Sequence, residues 1–282
     1  MVKVGAIIQA RMGSSRLPNK ILKKLPYFSE ETILSNIISR ATEVKEIDEI
    51  VVATTQNIED DKIEEYCKSK NIKYYRGSEN NVLKRFYEAA KTNELDIIIR
   101  LTSDNPIIDI SLLSETVSFF KEKDNINYLR TINTPIGMGV EIFDKTSLEI
   151  NYINSKDKFE QEHVTPYFYK TCPKKFNIIE YQSKIFDKSY NWRFTVDTNE
   201  DYTFICCLFD ELYEKNKFFS IIEIEKLYQD KPWIFNININ TEQKKVCSNL
   251  NEEIEEAIKL LNKQDLNRVE KYLKEQYYGK DK

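Results

Sequence analysis

The sequence predicts an α/β fold, a mostly parallel mixed sheet with helices on both faces. Two observations predict it. Over the first 125 residues, short apolar runs of strand length alternate with stretches of helical periodicity. A polar, basic loop then follows the first apolar run directly, at the carboxyl end of a strand, where sheets of this class bind ligands.

The runs Val2–Ile8, Ile50–Thr54, Ile72–Tyr75 and Ile97–Leu101 read as strands. Between them, Ile33, Leu34, Ile37, Ile38, Ala41 and Val44 fall on one helical face. Ile58–Lys70 and Val82–Ala90 read as two further helices, the second with Leu83, Phe86, Tyr87 and Ala90 together. Right-handed crossovers place the loops Ala10–Lys20, Thr54–Asn57, Arg76–Asn81 and Thr102–Pro106 along one edge, facing a common cleft. Past residue 125, Ile126–Ile132, Val140–Phe143, Phe176–Tyr181 and Arg193–Val196 read as strands, with a helical stretch around Glu160–Tyr169. Asn199–Tyr213 and Phe219–Tyr228 read as helices, and the Ile/Asn alternation of Ile234–Asn240 as a half-exposed strand. Leu250, Ile254, Ile258, Leu261, Val269 and Leu273 stand at helical spacing and predict a terminal helical hairpin or one long helix. The division expected is a main domain over residues 1–245 and a helical segment over 246–282.

A hydrophobic content of 41% supports a packed core, and 31% charged residues a soluble surface. A net charge of −4 argues against a general nucleic-acid binder, which needs a basic face. No run approaches the roughly 18 apolar residues of a membrane span, and the N-terminus has no signal-peptide pattern. Cys67, Cys172, Cys206, Cys207 and Cys247 show neither a C-x-x-C pair nor metal-ligand spacing, so they read as reduced thiols. A cytoplasmic protein is expected.

Within Ala10-Arg11-Met12-Gly13-Ser14-Ser15-Arg16-Leu17-Pro18-Asn19-Lys20, fixed cations, two hydroxyls and a glycine come together. Gly13 permits a sharp turn and a close backbone approach to a phosphate, and the hydroxyls and cations can bind its oxygens. The single glycine fits neither G-x-x-x-x-G-K-[ST] nor G-x-G-x-x-G. Asp104, in Ser103-Asp104-Asn105-Pro106, stands at a strand's end, where it either binds a metal or caps the next turn. Asp197 is placed alike, after Arg193–Val196 and before the cap residues Thr198 and Asn199; it reads as a metal ligand or a capping acid. Asp201, one turn on, either orients Asp197's surroundings or complements the helix N-terminus.

The motif A-R-x-G-S-[ST]-R-L-P-x-K strongly resembles the opening of the SpsF-like cytidylyltransferases, which are similar to the Kdo and acylneuraminate cytidylyltransferases. L-T-x-D-x-P, R-G-S-x-x-D-V-L-x-R-[FY], E-H-V-T-P, G-x-x-x-E-x-F and R-x-T-V-D-T-x-x-D match further segments, over about residues 3–205. The resemblance implies a Rossmann-like (GT-A-type) nucleotidyltransferase fold. It also implies CTP-dependent formation of a CMP-activated sugar acid and pyrophosphate. On this reading Arg11, Lys20, Asp104 and Asp197 are catalytic, and the two aspartates hold one or two Mg²⁺ ions. Ala10, Arg11, Gly13, Ser14, Ser15, Arg16, Lys20, Arg76, Gly77 and Arg85 bind the nucleotide, Arg85 being otherwise an exposed helix arginine. Asn81 stands where the family usually has an acid. Glu141, His163 and Arg193 are the candidates on the acceptor side, within an acceptor or dimer subregion of about 126–190; His163, the only histidine, is otherwise structural. Arg130 and Lys170 are available for an acceptor carboxylate. A homodimer without nucleic-acid or membrane partners is expected. Another nucleotide, a phosphorylated or phosphonate acceptor, or a non-catalytic nucleotide-binding module remain alternatives. A glycosyltransferase would want a D-x-D at a strand's end, which the chain lacks.

Overall fold

Five of the six residues of Val4–Gln9 (β1) are buried, as a strand packed on both faces requires. Glu49–Thr55 (β2) and Ile97–Thr102 (β4) flank it in parallel register, and Lys73–Gly77 (β3) pairs outside β2. Glu141–Asp144 (β6) runs antiparallel to β4; Tyr128–Thr131 (β5) pairs antiparallel with β6 and parallel with Ile178–Tyr181 (β7). The computed structural model describes residues 2–14, 16–186, 190–242, 247 and 249–278. Its sheet order is β3-β2-β1-β4-β6-β5-β7, a mostly parallel mixed sheet.

Two apolar layers sandwich this sheet. On one face Ala6, Ile8, Val52, Ile99 and Leu101 meet Ile33–Thr42 (α1), Asp61–Ser69 (α2), Ile110–Glu122 (α4), Asn199–Leu212 (α7) and Ile221–Asp230 (α8). On the other, Ile7, Val51, Ala53 and Ile98 meet Val82–Thr92 (α3), Lys145–Asn154 (α5) and the chain just after Lys158–His163 (α6). Each fully buried Ile or Leu contributes about 1.5–3 kcal/mol, and with both faces covered the central strands are apolar on each. α4 and α5 begin at Asp109 and Asp144, whose carboxylates accept from first-turn N–H groups.

Two expected strands are absent. Arg193–Val196 is extended but, among the described residues, joins the sheet region through one parallel bridge, Ile136 to Arg193, with isolated backbone bonds in place of a ladder. Within Ile234–Asn240, Pro232 starts a 3-10 turn over Pro232–Asn236 that buries Ile234 and Phe235. Asn238 is buried there while Ile239 is 65% exposed, the reverse of an amphipathic strand's pattern.

The contacts separate a unit Met1–Thr241 from a unit Glu242–Lys282. The second consists of Leu250–Lys263 (α9) and Asn267–Tyr278 (α10), a helical hairpin in which Ile258 and Glu270 are buried. Among the described residues, no helix is long and apolar enough to cross a membrane.

Candidate active site

Neighbours of β1 belong to opposite branches of the topology, β2 and β3 on one side and β4 on the other. The crevice at the carboxyl ends of β1 and β4 is therefore the switch point. The loop after β1 enters it. Met12 N–H donates to Asp60 Oδ1 at 2.7 Å, and Asp60, only 2% exposed, also accepts from the Thr55 hydroxyl. Asn19 adopts a left-handed backbone (φ 56°) that turns the chain into the short 3-10 helix Lys20–Leu22. The expected sharp turn thus belongs to Asn19 and not to Gly13, which has no positive φ and whose added Cβ would face open space. Ser15 lies outside the described residues.

Lys20 Nζ lies between the two candidate metal ligands, 2.9 Å from Asp197 Oδ1, 3.1 Å from Asp104 Oδ2 and 2.9 Å from the Val196 carbonyl. Burial on its own would lower its pKa, but Asp104 and Asp197 outweigh burial and hold it above the ordinary 10.5. Arg16 reaches the same Asp197 oxygen at 3.3 Å, and Arg193 donates to the other at 2.7 Å. Burial would raise the Asp197 carboxyl, yet Lys20, Arg16 and Arg193 hold it below its ordinary 3.8. The carboxylates are registered by Val196 N–H, which donates to the Asp104 carbonyl at 2.8 Å. Gly137 (φ 95°) backs this segment closely: a Cβ there would stand 2.7 Å from Thr195 N.

Asp201 is fully buried and accepts from Arg193 Nε at 2.9 Å, from Asp197 N–H at 3.0 Å and from Asn238 at 3.0 Å. It orients Asp197 and completes a capping box with Thr198. Arg193, expected on the acceptor side, is instead a buried brace between Asp197 and Asp201. Sequence reading missed Asn238 and Asp60, because each works through a residue far away in the chain.

The remaining predicted residues are dispersed. Arg11 pairs with Glu79 at 3.7 Å, linking the first loop to the one after β3. Beside that link opens a pocket of about 450 Å³ lined by Gln56, Asn57, Gly77, Ser78 and Lys84. Arg85 is not an exposed arginine: it is 2% exposed, donates to the Ser78 carbonyl, and burial followed by Arg11 pushes its pKa down to about 10. Arg76 binds Asp61, Glu64 and the Thr55 and Asn57 carbonyls, bracing β3 against the start of α2. Glu141 accepts from Arg100 and Tyr128. His163 ends α6 with its ring against Phe159. Arg130 pairs with Glu180 and lies over the Tyr169 ring, and Lys170 lies over Phe159.

Two carboxylates that already share one cation form a donor set suited to Mg²⁺, which takes one or two carboxylates and completes its shell with phosphate oxygens and water. Among the described residues, no group of three or more His, Cys, Asp or Glu side chains converges as an all-protein metal cage would need. A model of the family described as Cytidylyltransferase matches residues 5–240, spanning this whole arrangement. The chain belongs to the cytidylyltransferase family. The enzyme is 33% identical over 215 residues to the spore coat polysaccharide biosynthesis protein SpsF of Bacillus subtilis, covering 74% of this chain and 87% of that protein. It is 29% identical over 172 residues to 8-amino-3,8-dideoxy-manno-octulosonate cytidylyltransferase of Shewanella frigidimarina, covering 59% of this chain and 64% of the relative. The solved structure of a cytidylyltransferase from Leptospira borgpetersenii superimposes with a TM-score of 0.75 at 34% identity, over 88% of this chain and 100% of that one. The sheet therefore has the nucleotidyltransferase fold expected from the first loop.

Proposed function

We propose that this enzyme transfers a cytidylyl group from CTP to a sugar acid, forming a CMP-activated sugar acid and pyrophosphate for surface-glycan synthesis. The observation that carries the reading is the convergence of Lys20, Asp104 and Asp197 at the switch point of a cytidylyltransferase sheet. The names of the polysaccharide-biosynthesis and octulosonate relatives support the acceptor class.

An acceptor hydroxyl oxygen attacks the α-phosphorus, the bond to the β-phosphate oxygen breaks, and pyrophosphate leaves with that electron pair. The hydroxyl proton is released to solvent. Charge develops on the leaving group, and fixed cations stabilise it without reorganisation. Arg11, Arg16 and Lys20 are the first-loop cations that would do so once the triphosphate draws them onto its oxygens, with Ser14 as a further donor. Asp104 and Asp197 would hold Mg²⁺, which when bound neutralises phosphate charge and polarises the α-phosphate. Arg193 and Asp201 keep Asp197 in place. The pocket beside Glu79 suits the nucleoside, so base choice rests on Thr54–Gln56 and Arg76–Ser78. The working form is a homodimer acting in the cytoplasm, and light scattering reads the dimer mass.

Pyrophosphate release tests the reading, with CTP, UTP, GTP and ATP offered against Kdo-type and sialic-type acids, sugar phosphates and phosphonates. Release with CTP and one sugar acid is expected. Release with another nucleotide would overturn the cytidyl assignment, and release only with a phosphorylated acceptor would overturn the acceptor class.

A further inference from the structure

Lys20 makes three contacts at the site, to Asp197 Oδ1, Asp104 Oδ2 and the Val196 carbonyl. An ammonium has three N–H donors, so in this arrangement none remains for a phosphate. The oxygens it uses are those that would serve a divalent ion, and a second cation among them would meet the lysine's charge at close range. Among the described residues, three carboxylates (Asp104, Asp197, Asp201) and three cations (Lys20, Arg16, Arg193) also balance at the site, so these six charges leave no net negative charge for a further cation while Lys20 stays in place.

We propose that Lys20 and the divalent ion are alternative occupants of the Asp104–Asp197 pair, exchanged when a nucleoside triphosphate arrives. The inference rests on the cytidylyl-transfer reading and adds an order to it. The triphosphate draws Lys20 and Arg16 onto its oxygens, and the carboxylates they leave become free for the ion the nucleotide carries. Lysine is suited to this exchange, because a point charge on a four-carbon stem can move while its backbone stays in place. Arg193, held on two sides by Asp197 and Asp201, stays behind and keeps the carboxylate oriented. Metal and nucleotide then bind with positive coupling, and by linkage each strengthens the other by the same factor. A protein carrying the ion without nucleotide would be a minor species.

Mn²⁺ binding tests this apart from turnover, by equilibrium dialysis of the full chain with manganese read in the protein compartment, alone and with CTP or CMP. In the unmodified protein, CTP is expected to tighten Mn²⁺ binding at least about tenfold, and CMP, which lacks the β- and γ-phosphates, to do so far less. In Lys20→Met, Mn²⁺ is expected to bind without nucleotide at least about tenfold more tightly than in the unmodified protein, and adding Asp104→Asn is expected to abolish the gain. Lys20→Gln, closer in shape and polarity, repeats the comparison should Lys20→Met fail to fold. Equal Mn²⁺ affinity with and without Lys20 would overturn the exchange while leaving the metal reading intact. No uptake by any form, CTP present, would overturn the metal reading and the exchange with it.

Discussion

Val196 N–H donates to the Asp104 carbonyl at 2.8 Å, and this bond ties together two aspartates from distant parts of the chain. Asp104 follows a central strand, whereas Asp197 follows an extended segment outside the sheet, so the bond joins a rigid edge to a separately supported loop. Gly137 lets the next loop pack against the same segment. The pair is thus fixed by backbone contacts, which the preorganised electrostatics of the proposed reaction would need.

On the proposed reading, Asp104→Asn and Asp197→Asn each should lower kcat by about 100-fold or more, since each removes a carboxylate that would hold the divalent ion. The Asp104 side chain is 28% exposed, so its variant should keep nearly the thermal midpoint of the unmodified protein. Steady-state pyrophosphate release and a thermal melt on the same samples check both statements. Near-normal turnover in both variants would remove the pair from the mechanism.

Asp201→Asn acts differently, because Asp201 is wholly buried and supports other groups. It accepts from Arg193, the Asp197 and Thr198 N–H groups and Asn238. Removing one charge of a buried pair costs about 3–5 kcal/mol, and the midpoint should fall by roughly 10 °C. Activity should fall as well, since Arg193 then pulls on Asp197 alone. A midpoint unchanged within about 1 °C would show that the charge balance is not structural.

The parts legible in the sequence are those in which one segment states its own environment. β1, β2 and β4 are built around short apolar runs, and the loops after them fall on one edge whatever packs around them. Asp104, Asp197 and Lys20 each sit in a locally recognisable loop. What the sequence hides is where a side chain's partner stands. Arg193 looks free for an acceptor until Asp201 folds back beneath it. Arg85 looks like a surface arginine until the chain at Ser78 closes over it. The Ile/Asn alternation near Asn238 carries strand periodicity, but Pro232 and the demand of Arg193 and Asp201 for a buried amide override it.

Acid should weaken the fold through Asp197. Lys20, Arg16 and Arg193 overcome the effect of burial and hold its carboxyl below 3.8 in the folded chain. A group depressed on folding contributes stability that is present above the unfolded value and lost as pH falls through the folded one. The urea midpoint of the unmodified protein should therefore drop more steeply below about pH 4 than that of Asp197→Asn. Other depressed carboxyls, Glu141 among them, contribute equally to both proteins and cancel in the difference. Parallel curves would mean that Asp197 gains no net stabilisation from its three cations.

Arg100 and Glu141 face each other across the β4–β6 pairing, and Tyr128 donates to the same carboxylate. Burial would raise the Glu141 carboxyl, but Arg100, Tyr128 and Thr165 hold it below its ordinary 4.5. Arg100→Met leaves this carboxylate without its opposite charge and should cost about 3 kcal/mol, and Glu141→Leu should do similar harm by leaving the guanidinium without its carboxylate. The two together remove both charges, so the double variant should recover much of the lost stability, a coupling that a thermodynamic cycle of the four proteins measures. The same double variant decides what Glu141 does for the reaction. Its oxygens are held by Arg100 and Tyr128 as a cross-strand brace, so the acceptor kcat/KM of the refolded double variant should stay within about threefold of the unmodified enzyme. A stable double variant whose acceptor KM rises steeply while its CTP KM holds would instead place Glu141 against the acceptor.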